Sequence, residues 1–219
     1  MNLPERERRW SRRKEARPEE ITAAALELFS ERGYAATRLE DVAARAGVSK
    51  GTLYLYFSGK EELFKAVLRE GFISPLTEMR ETVQRHQGAT FELVEMLVRG
   101  WWQRIGATRL SAIPKLIVAE ARNFPELARF YVDEVVRPGH QAIAAIVRRG
   151  VERGEFREVD PDVAGRLLIA PLFMVALWRN SLAACTPERI DPVPLLEAHI
   201  EMLRHGLAAQ PRDVRHEKS

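Results

Sequence analysis

Apolar residues recur every three or four positions through most of this chain, which is the spacing of amphipathic helices. The sequence shows no sustained alternation of apolar and polar residues, no hairpin dipeptides of the Asn-Gly kind and no internal repeat. The pattern therefore predicts an all-α protein.

The first helix is predicted to begin at Pro18, because a proline at the first helical position loses no hydrogen bond. Gly33 is expected to end it near Arg32. The apolar face of this helix is formed by Ile21, Ala25, Leu28 and Phe29.

Two short helices follow. Thr37 and Glu40 have the spacing of a capping box, and the second helix is closed by Gly47. Ser49 is placed to cap a third helix that runs to about Phe57. Short helices joined by a tight glycine turn are typical of a helix-turn-helix.

The rest of the chain predicts longer helices. Their expected ranges are 60–85, 89–107, 111–121, 125–154, 161–184 and 192–208. Pro75, Pro138 and Pro171 fall inside these ranges and should bend or split the helices that contain them.

The third short helix carries the candidate chemistry. In a helix-turn-helix, the second helix of the motif enters the major groove of DNA. Lys50 and Thr52 at its start can contact base edges, and Gly51 lets the backbone approach the duplex. Helical spacing places Leu53 and Phe57 together on the buried face.

Tyr54 and Tyr56 fall outside that buried face, so their hydroxyls can donate to phosphates. Lys60 begins the next helix and is expected to bind a phosphate as well. The alternative is that both tyrosines only cover the core of the small domain.

Composition narrows the class of protein. The 219 residues have a globular balance of apolar and charged side chains, and the net charge is +3. The segment 1–17 carries seven basic and three acidic residues, so it is a candidate tether to a polyanion or else a solvated tail. With one cysteine, no signal peptide and no apolar run long enough for a membrane span, a soluble cytoplasmic protein without membrane contact is expected.

The segment Ile21–Leu68, ITAAALELFSERGYAATRLEDVAARAGVSKGTLYLYFSGKEELFKAVL, resembles the DNA-binding domain of the TetR family of bacterial repressors. The resemblance implies an all-helical homodimer that binds a palindromic operator in double-stranded DNA and responds to a small-molecule effector. It predicts a basic arm (1–17), a helix-turn-helix domain (18–64), an effector and dimerisation domain (65–210) and a tail (211–219).

Carried over by position, the resemblance assigns roles in DNA binding. Thr37 and Arg38 would contact phosphates at the start of the second helix. The groove would be faced by Lys50, Gly51, Thr52 and Leu55, and the backbone would be held by Tyr54, Tyr56 and Lys60. Glu40 occupies a position that reads bases in some members, but a capping role is expected here.

The sequence of the larger domain gives weaker evidence for the roles of individual residues. The candidate effector-binding residues are Trp101, Trp102, Ile105, Arg122, Phe124, Phe130, Tyr131 and Trp178. The last two helices are the family's usual dimer surface, and the candidates there are Ala164, Leu168, Leu172, Val175, Leu195, His199, Met202 and Leu203. For both sets, packing within one chain's own core is the alternative.

The sequence favours no enzyme. It has no nucleophile elbow and no phosphate-binding glycine loop, and its five histidines are scattered, so no metal or cofactor is expected. Two functions stay open. One is a repressor that is released from DNA by an apolar or amphipathic effector, and the other is a DNA-binding dimer that senses no ligand and whose C-terminal domain serves only assembly or a protein partner.

Overall fold

The computed structural model describes residues 18–187 and 190–209. The predicted basic arm (1–17) and C-terminal tail (211–219) lie outside the described residues. Helices form most of the described chain, which confirms the all-α prediction. Extended pairing within these residues is limited to an isolated bridge between Phe156 and Ala208.

The helices follow the order that the sequence predicts. They are α1 (Pro18–Ala36), α2 (Leu39–Ala46), α3 (Lys50–Tyr56), α4 (Lys60–Leu68), α5 (Ser74–Arg85), α6 (Thr90–Trp101), α7 (Ala112–Glu120), α8 (Pro125–Tyr131), α9 (Arg137–Glu152), α10 (Pro161–Asn180) and α11 (Pro192–Leu207). Gly33 has a φ of 82° and interrupts α1 one residue after the predicted end.

Two prolines leave a visible mark on the backbone. Wide π-helical turns, Arg69–Ile73 and Val132–Val136, come directly before α5 and α9. A proline ring collides with the carbonyl four residues earlier, and for Pro75 and Pro138 that carbonyl lies inside the π turn. The helices therefore widen there, whereas α10 continues through Pro171 as one helix.

The described chain forms two compact units. The first contains the described residues up to Pro75 together with Arg104–Val136. Phe29, Tyr34 and Phe64 form its aromatic centre, with ring centroids 5.2 to 5.6 Å apart. The predicted apolar face of α1 is buried in this unit, as expected for the core-facing side of an amphipathic helix.

The second unit contains Leu76–Gln103 and the chain from Arg137 onward. Its core is built from α6, α9, α10 and α11. Val94, Val98, Val147 and Leu172 are completely buried there. The segment 104–136, which the sequence places in the effector domain, thus packs in the unit of the helix-turn-helix.

Candidate DNA-binding surface

The turn before α3 is fixed by local hydrogen bonds. Gly47 adopts the left-handed conformation (φ 71°) that ends α2, and its amide donates to the carbonyls of Ala43 and Ala44. The Ser49 Oγ accepts the Thr52 amide at 3.0 Å, so Ser49 caps α3 as predicted. These two residues set the direction in which α3 leaves the turn.

Helix α3 has the two faces that its spacing predicts. Leu53 is fully buried and Phe57 is 8% exposed, so both anchor the helix to the core. On the other side Tyr54 is 45%, Leu55 82% and Tyr56 47% exposed. The Leu55 side chain is therefore available for an apolar contact with a partner.

Lys50 and Glu40 form an ion pair at the entrance of α3. The Lys50 Nζ lies 2.6 Å from the Glu40 Oε1 and 5.8 Å from the centroid of the Tyr54 ring. The hydrogen bond from Lys50 lowers the pKa of the Glu40 carboxyl, and the same bond raises the pKa of Lys50. Both side chains remain more than half exposed, so Lys50 stays accessible to DNA.

The capping box predicted from Thr37 and Glu40 is wrong. Arg38, not Thr37, is the N-cap residue of α2, and its side chain makes no capping hydrogen bond. Thr37 is 1% exposed, and its hydroxyl donates to the Gly33 carbonyl at 2.7 Å. The Thr37 side chain is therefore unavailable to a phosphate, whereas Arg38 is exposed as a phosphate contact requires.

The structure also corrects the predicted role of Lys60 as a phosphate contact. Its Nζ donates to the carbonyls of Tyr34, Ala35 and Thr37 at 2.9 to 3.1 Å and lies 4.6 Å from the centroid of the Tyr34 ring. Burial lowers the pKa of this ammonium, although nearby Glu120 opposes the shift. All three hydrogens are used inside the fold, so Lys60 holds the end of α1 rather than a phosphate.

The candidate effector residues do not lie in one unit. Trp101, Trp102 and Trp178 belong to the second unit, while Ile105, Arg122, Phe124, Phe130 and Tyr131 belong to the first. Trp102, Ile105 and Tyr131 are buried, the other four aromatic residues are partly buried, and Arg122 is exposed. The Trp178 Nε1 is buried without a hydrogen-bond partner among the residues that the structure describes.

Several predicted dimer residues face their own core. Leu168, Leu172, Val175 and His199 are 8% exposed or less, so they are not available to a partner. The His199 Nε2 instead lies 2.8 Å from the Leu168 carbonyl oxygen. Ala164, Leu195 and Leu203 are partly buried, and Met202 is 73% exposed.

An exposed apolar face of α10 lies beside the predicted one, and the sequence reasoning missed it. Val163, Leu167, Met174 and Leu177 are 54%, 67%, 61% and 39% exposed. Their steps of four, seven and three residues follow a coiled-coil seam, with exposed Ala170 completing it. The periodicity could have indicated this seam, but α10 is apolar on both sides and periodicity does not say which side is buried.

Helix α10 also has the composition of a membrane span. It is 20 residues long, its most apolar window has a mean hydropathy of 1.4, and 28% of that window is buried. One such helix is weak evidence for a membrane span, since the core helix of a soluble protein has the same composition.

No three His, Cys, Asp or Glu side chains converge as a metal site requires within 18–187 and 190–209.

Comparison with known proteins identifies the family. Residues 21–67 match the model of bacterial regulatory proteins of the tetR family, and residues 88–192 match the tetracyclin repressor-like C-terminal domain. The chain belongs to the TetR family. The TetR-family resemblance of the helix-turn-helix segment is thereby confirmed, and the chain is a DNA-binding transcriptional regulator rather than an enzyme.

Relatives match almost the whole TetR-family chain. A fatty acid metabolism regulator protein of Bacillus subtilis is 25% identical over 198 residues, covering 89% of this chain and 98% of that protein. The transcriptional repressor KstR2 of Rhodococcus jostii is 29% identical over 199 residues, covering 90% and 93%. The structure of FadR from Bacillus subtilis in complex with stearoyl-CoA has a TM-score of 0.71 at 23% identity, covering 87% and 99%.

Proposed function

We propose that this protein is a homodimeric, cytoplasmic repressor that binds a palindromic operator and is released by a small apolar or amphipathic effector. The observation that carries the proposal is the surface of α3. Lys50, Tyr54, Leu55 and Tyr56 are exposed together, while Leu53 and Phe57 fasten the same helix to the core. A short helix held in this way can enter a major groove without bending.

The exposed residues are proposed to contact two parts of the DNA, the base edges and the phosphates. Lys50, Thr52 and Leu55 face the base edges, where an amine donates to guanine and an apolar side chain contacts a thymine methyl. Arg38, Tyr54 and Tyr56 contact phosphates and set the position of the helix. Gly51 has no side chain, which lets the backbone of α3 approach the duplex closely.

An acyl-CoA thioester is the first effector to test. A FadR of the same fold binds stearoyl-CoA, and a Bacillus subtilis relative is named for fatty acid metabolism. The described chain supplies bulky aromatic residues for an acyl chain, and the Trp178 Nε1, which has no hydrogen-bond partner among the described residues, supplies a donor for a polar group of the ligand. Residues 65–210 are proposed to hold this site and the dimer surface.

A contact within the first unit can carry the effector's signal to the helix-turn-helix. The Phe124 ring packs edge-on against Tyr34 with centroids 4.8 Å apart, and the Ala35 amide donates to the Glu120 Oε1 at 3.4 Å. Tyr34 and Ala35 lie at the end of α1, and Lys60 binds the carbonyls of both. A ligand that displaces the turn between α7 and α8 would move α1, and it shifts the equilibrium by its differential affinity for the two states.

The seam on α10 is the proposed dimer surface. Val163, Leu167, Met174 and Leu177 present a continuous apolar stripe, and Met202 on α11 adds a further exposed apolar side chain. Two copies of such helices form a four-helix interface. In the dimer, the two copies of α3 would contact half-sites about 34 to 36 Å apart.

Footprinting of the purified protein on the DNA that flanks its own gene tests the proposal. We expect protection of a palindrome, loss of protection with stearoyl-CoA, and no loss with coenzyme A or stearate alone at the same concentration. Protection that no compound alters would favour the second candidate, a dimer that senses no ligand. Absence of a protected or enriched sequence, in this assay and in a genome-wide selection, would contradict the repressor proposal.

A further inference from the structure

The ion pair between Glu40 and Lys50 places a carboxylate on the surface that is proposed to face DNA. Glu40 lies in the first turn of α2 and Lys50 is the first residue of α3, yet their charged atoms are 2.6 Å apart. Both side chains are exposed, at 55% and 57%. A carboxylate in this position repels phosphates, so its presence calls for a physical reason.

Stability does not supply that reason. An exposed ion pair contributes about 0 to 1 kcal/mol. The predicted capping box does not supply it either, since Arg38 and not Thr37 is the N-cap residue of α2 and the Thr37 hydroxyl donates to the Gly33 carbonyl. The Glu40 carboxylate is instead directed at the Lys50 ammonium, which donates to it.

The spacing of the two charged atoms matches the edge of one base pair. In the major groove, a G·C pair presents the guanine O6 acceptor beside the cytosine N4 donor. These two atoms are hydrogen-bonded to each other, so they are about 2.9 Å apart. Lys50 offers a donor and Glu40 an acceptor 2.6 Å apart, which is the complementary pattern at the same spacing.

We propose that Glu40 is a specificity-determining residue that, with Lys50, reads a single G·C base pair in each half-site and weakens binding to all other DNA. Lys50 donates to guanine and Glu40 accepts from the cytosine amino group. On any other base pair, Lys50 binds a phosphate instead of guanine. The Glu40 carboxylate then lies near the negatively charged backbone without a hydrogen-bond partner. This inference rests on the proposed DNA-binding function and adds a base-reading role for an acidic residue.

Selection from a pool of duplexes with a randomised core tests the inference. The variants are Glu40→Gln and the matched control Asp41→Asn, which makes the same charge change one residue away on a carboxylate paired with Arg32 at 3.1 Å. Affinity for a fixed duplex of about 30 base pairs outside the selected sequences, long enough to hold two half-sites one turn apart, is measured in parallel for each protein. Circular dichroism melting checks that both variants are folded.

For Glu40→Gln we expect about a ten-fold loss of preference for the G·C pair at one position of each half-site, with a shift towards adenine, which glutamine reads. Affinity for the fixed duplex should rise about five-fold more than in Asp41→Asn. The control should select the wild-type sequence.

The outcomes distinguish a failure of the Glu40 inference from a failure of the proposed DNA-binding function. If the wild type selects a sequence and both variants select it equally, with equal gains on the fixed duplex, Glu40 acts only through net charge and the inference is overturned. If the wild type selects no sequence at all, the proposed DNA-binding function fails together with it.

Discussion

Two lysines ten residues apart show how surroundings decide the role of a side chain. Lys50 is exposed and paired with one carboxylate, whereas Lys60 donates to three backbone carbonyls at the end of α1. Sequence reasoning assigns a DNA-binding role to both, because each is a cation beside a helix start. The carbonyls that Lys60 binds come from residues 34–37, and no local pattern reveals that approach.

Lys60→Met should therefore lower the stability of the fold rather than the specificity of DNA binding. Hydrogen bonds to a charged group contribute about 1.5 to 3 kcal/mol, and partial exposure of Lys60 places the expected loss at the lower end of that range. Urea unfolding measures it, with Lys50→Met as the control. Lys50→Met should leave the unfolding midpoint nearly unchanged and weaken DNA binding, and the reverse pattern would contradict both assignments.

Tyr54→Phe tests the phosphate role at the same scale. The substitution removes only the hydroxyl group, and the Tyr54 ring, which is 45% exposed, keeps its packing without it. A hydrogen bond to a charged phosphate contributes about 1.5 to 3 kcal/mol, and the exposure of Tyr54 favours the lower end, so affinity should fall about ten-fold for each half-site. Binding to the operator and to a panel of single-base variants provides the measurement, and the loss should be the same for every duplex. A changed base preference would place Tyr54 on a base edge instead.

At the scale of helices, the sequence predicts starts and stops well because they depend on local chemistry. Ser49, Gly47 and the prolines that begin α1, α8, α10 and α11 lie where their backbone preferences predict. The hydrogen-bond partners of polar side chains were not predictable in this way. Thr37 looks like a helix cap in sequence, but its hydroxyl reaches the carbonyl of Gly33 because the left-handed glycine turns the chain back.

Helix α6 gives a case where the cap comes from a distant residue. Its N-cap residue, Ala89, has no side chain for this purpose, and the Thr90 amide donates to the Glu155 carboxylate instead. That hydrogen bond is the main reason why the pKa of Glu155 lies below its usual value of 4.5. Glu155→Gln keeps an acceptor oxygen but removes the charge, so it should cost about 1 kcal/mol at neutral pH, the difference between a charged and a neutral hydrogen bond.

The lowered pKa also predicts how this cost depends on pH. The contribution is fully present above the unfolded-state value of 4.5 and is lost as pH falls through the lower folded-state value. The stability difference between wild type and Glu155→Gln should therefore shrink below about pH 4.5 in urea titrations. Glu158→Gln, an exposed change in the same loop, is the control. A difference that stays constant down to about pH 3 would mean that the carboxylate charge is not what caps α6.

At the scale of the whole molecule, the sequence could not choose between the two apolar faces of α10. Leu168, Leu172 and Val175 are spaced as regularly as Val163, Leu167 and Met174, because one face is buried in the second unit and the other is exposed. Periodicity reports that a face is apolar, not what covers it. Burial in a single chain separates the two, since the face that remains exposed is the one available to a second copy.

Leu167→Glu tests that assignment. Leu167 is 67% exposed and lies in the middle of the seam, so a carboxylate there leaves the monomer's core unchanged but would be buried without a partner in the dimer. We expect dissociation to monomers in sedimentation velocity at micromolar concentration, with circular dichroism melting still cooperative. Operator affinity should fall with it, since each monomer contacts one half-site.

A matched control separates the seam from general surface hydrophobicity. Val118→Glu introduces the same charge at an apolar residue that is 73% exposed but lies on α7 in the first unit. It should sediment as the wild type does. If Leu167→Glu stays dimeric while Val118→Glu dissociates, the copies associate through the other unit. If both stay dimeric, the α10 seam is covered by something other than a second copy, and the half-site spacing must be set by a different contact.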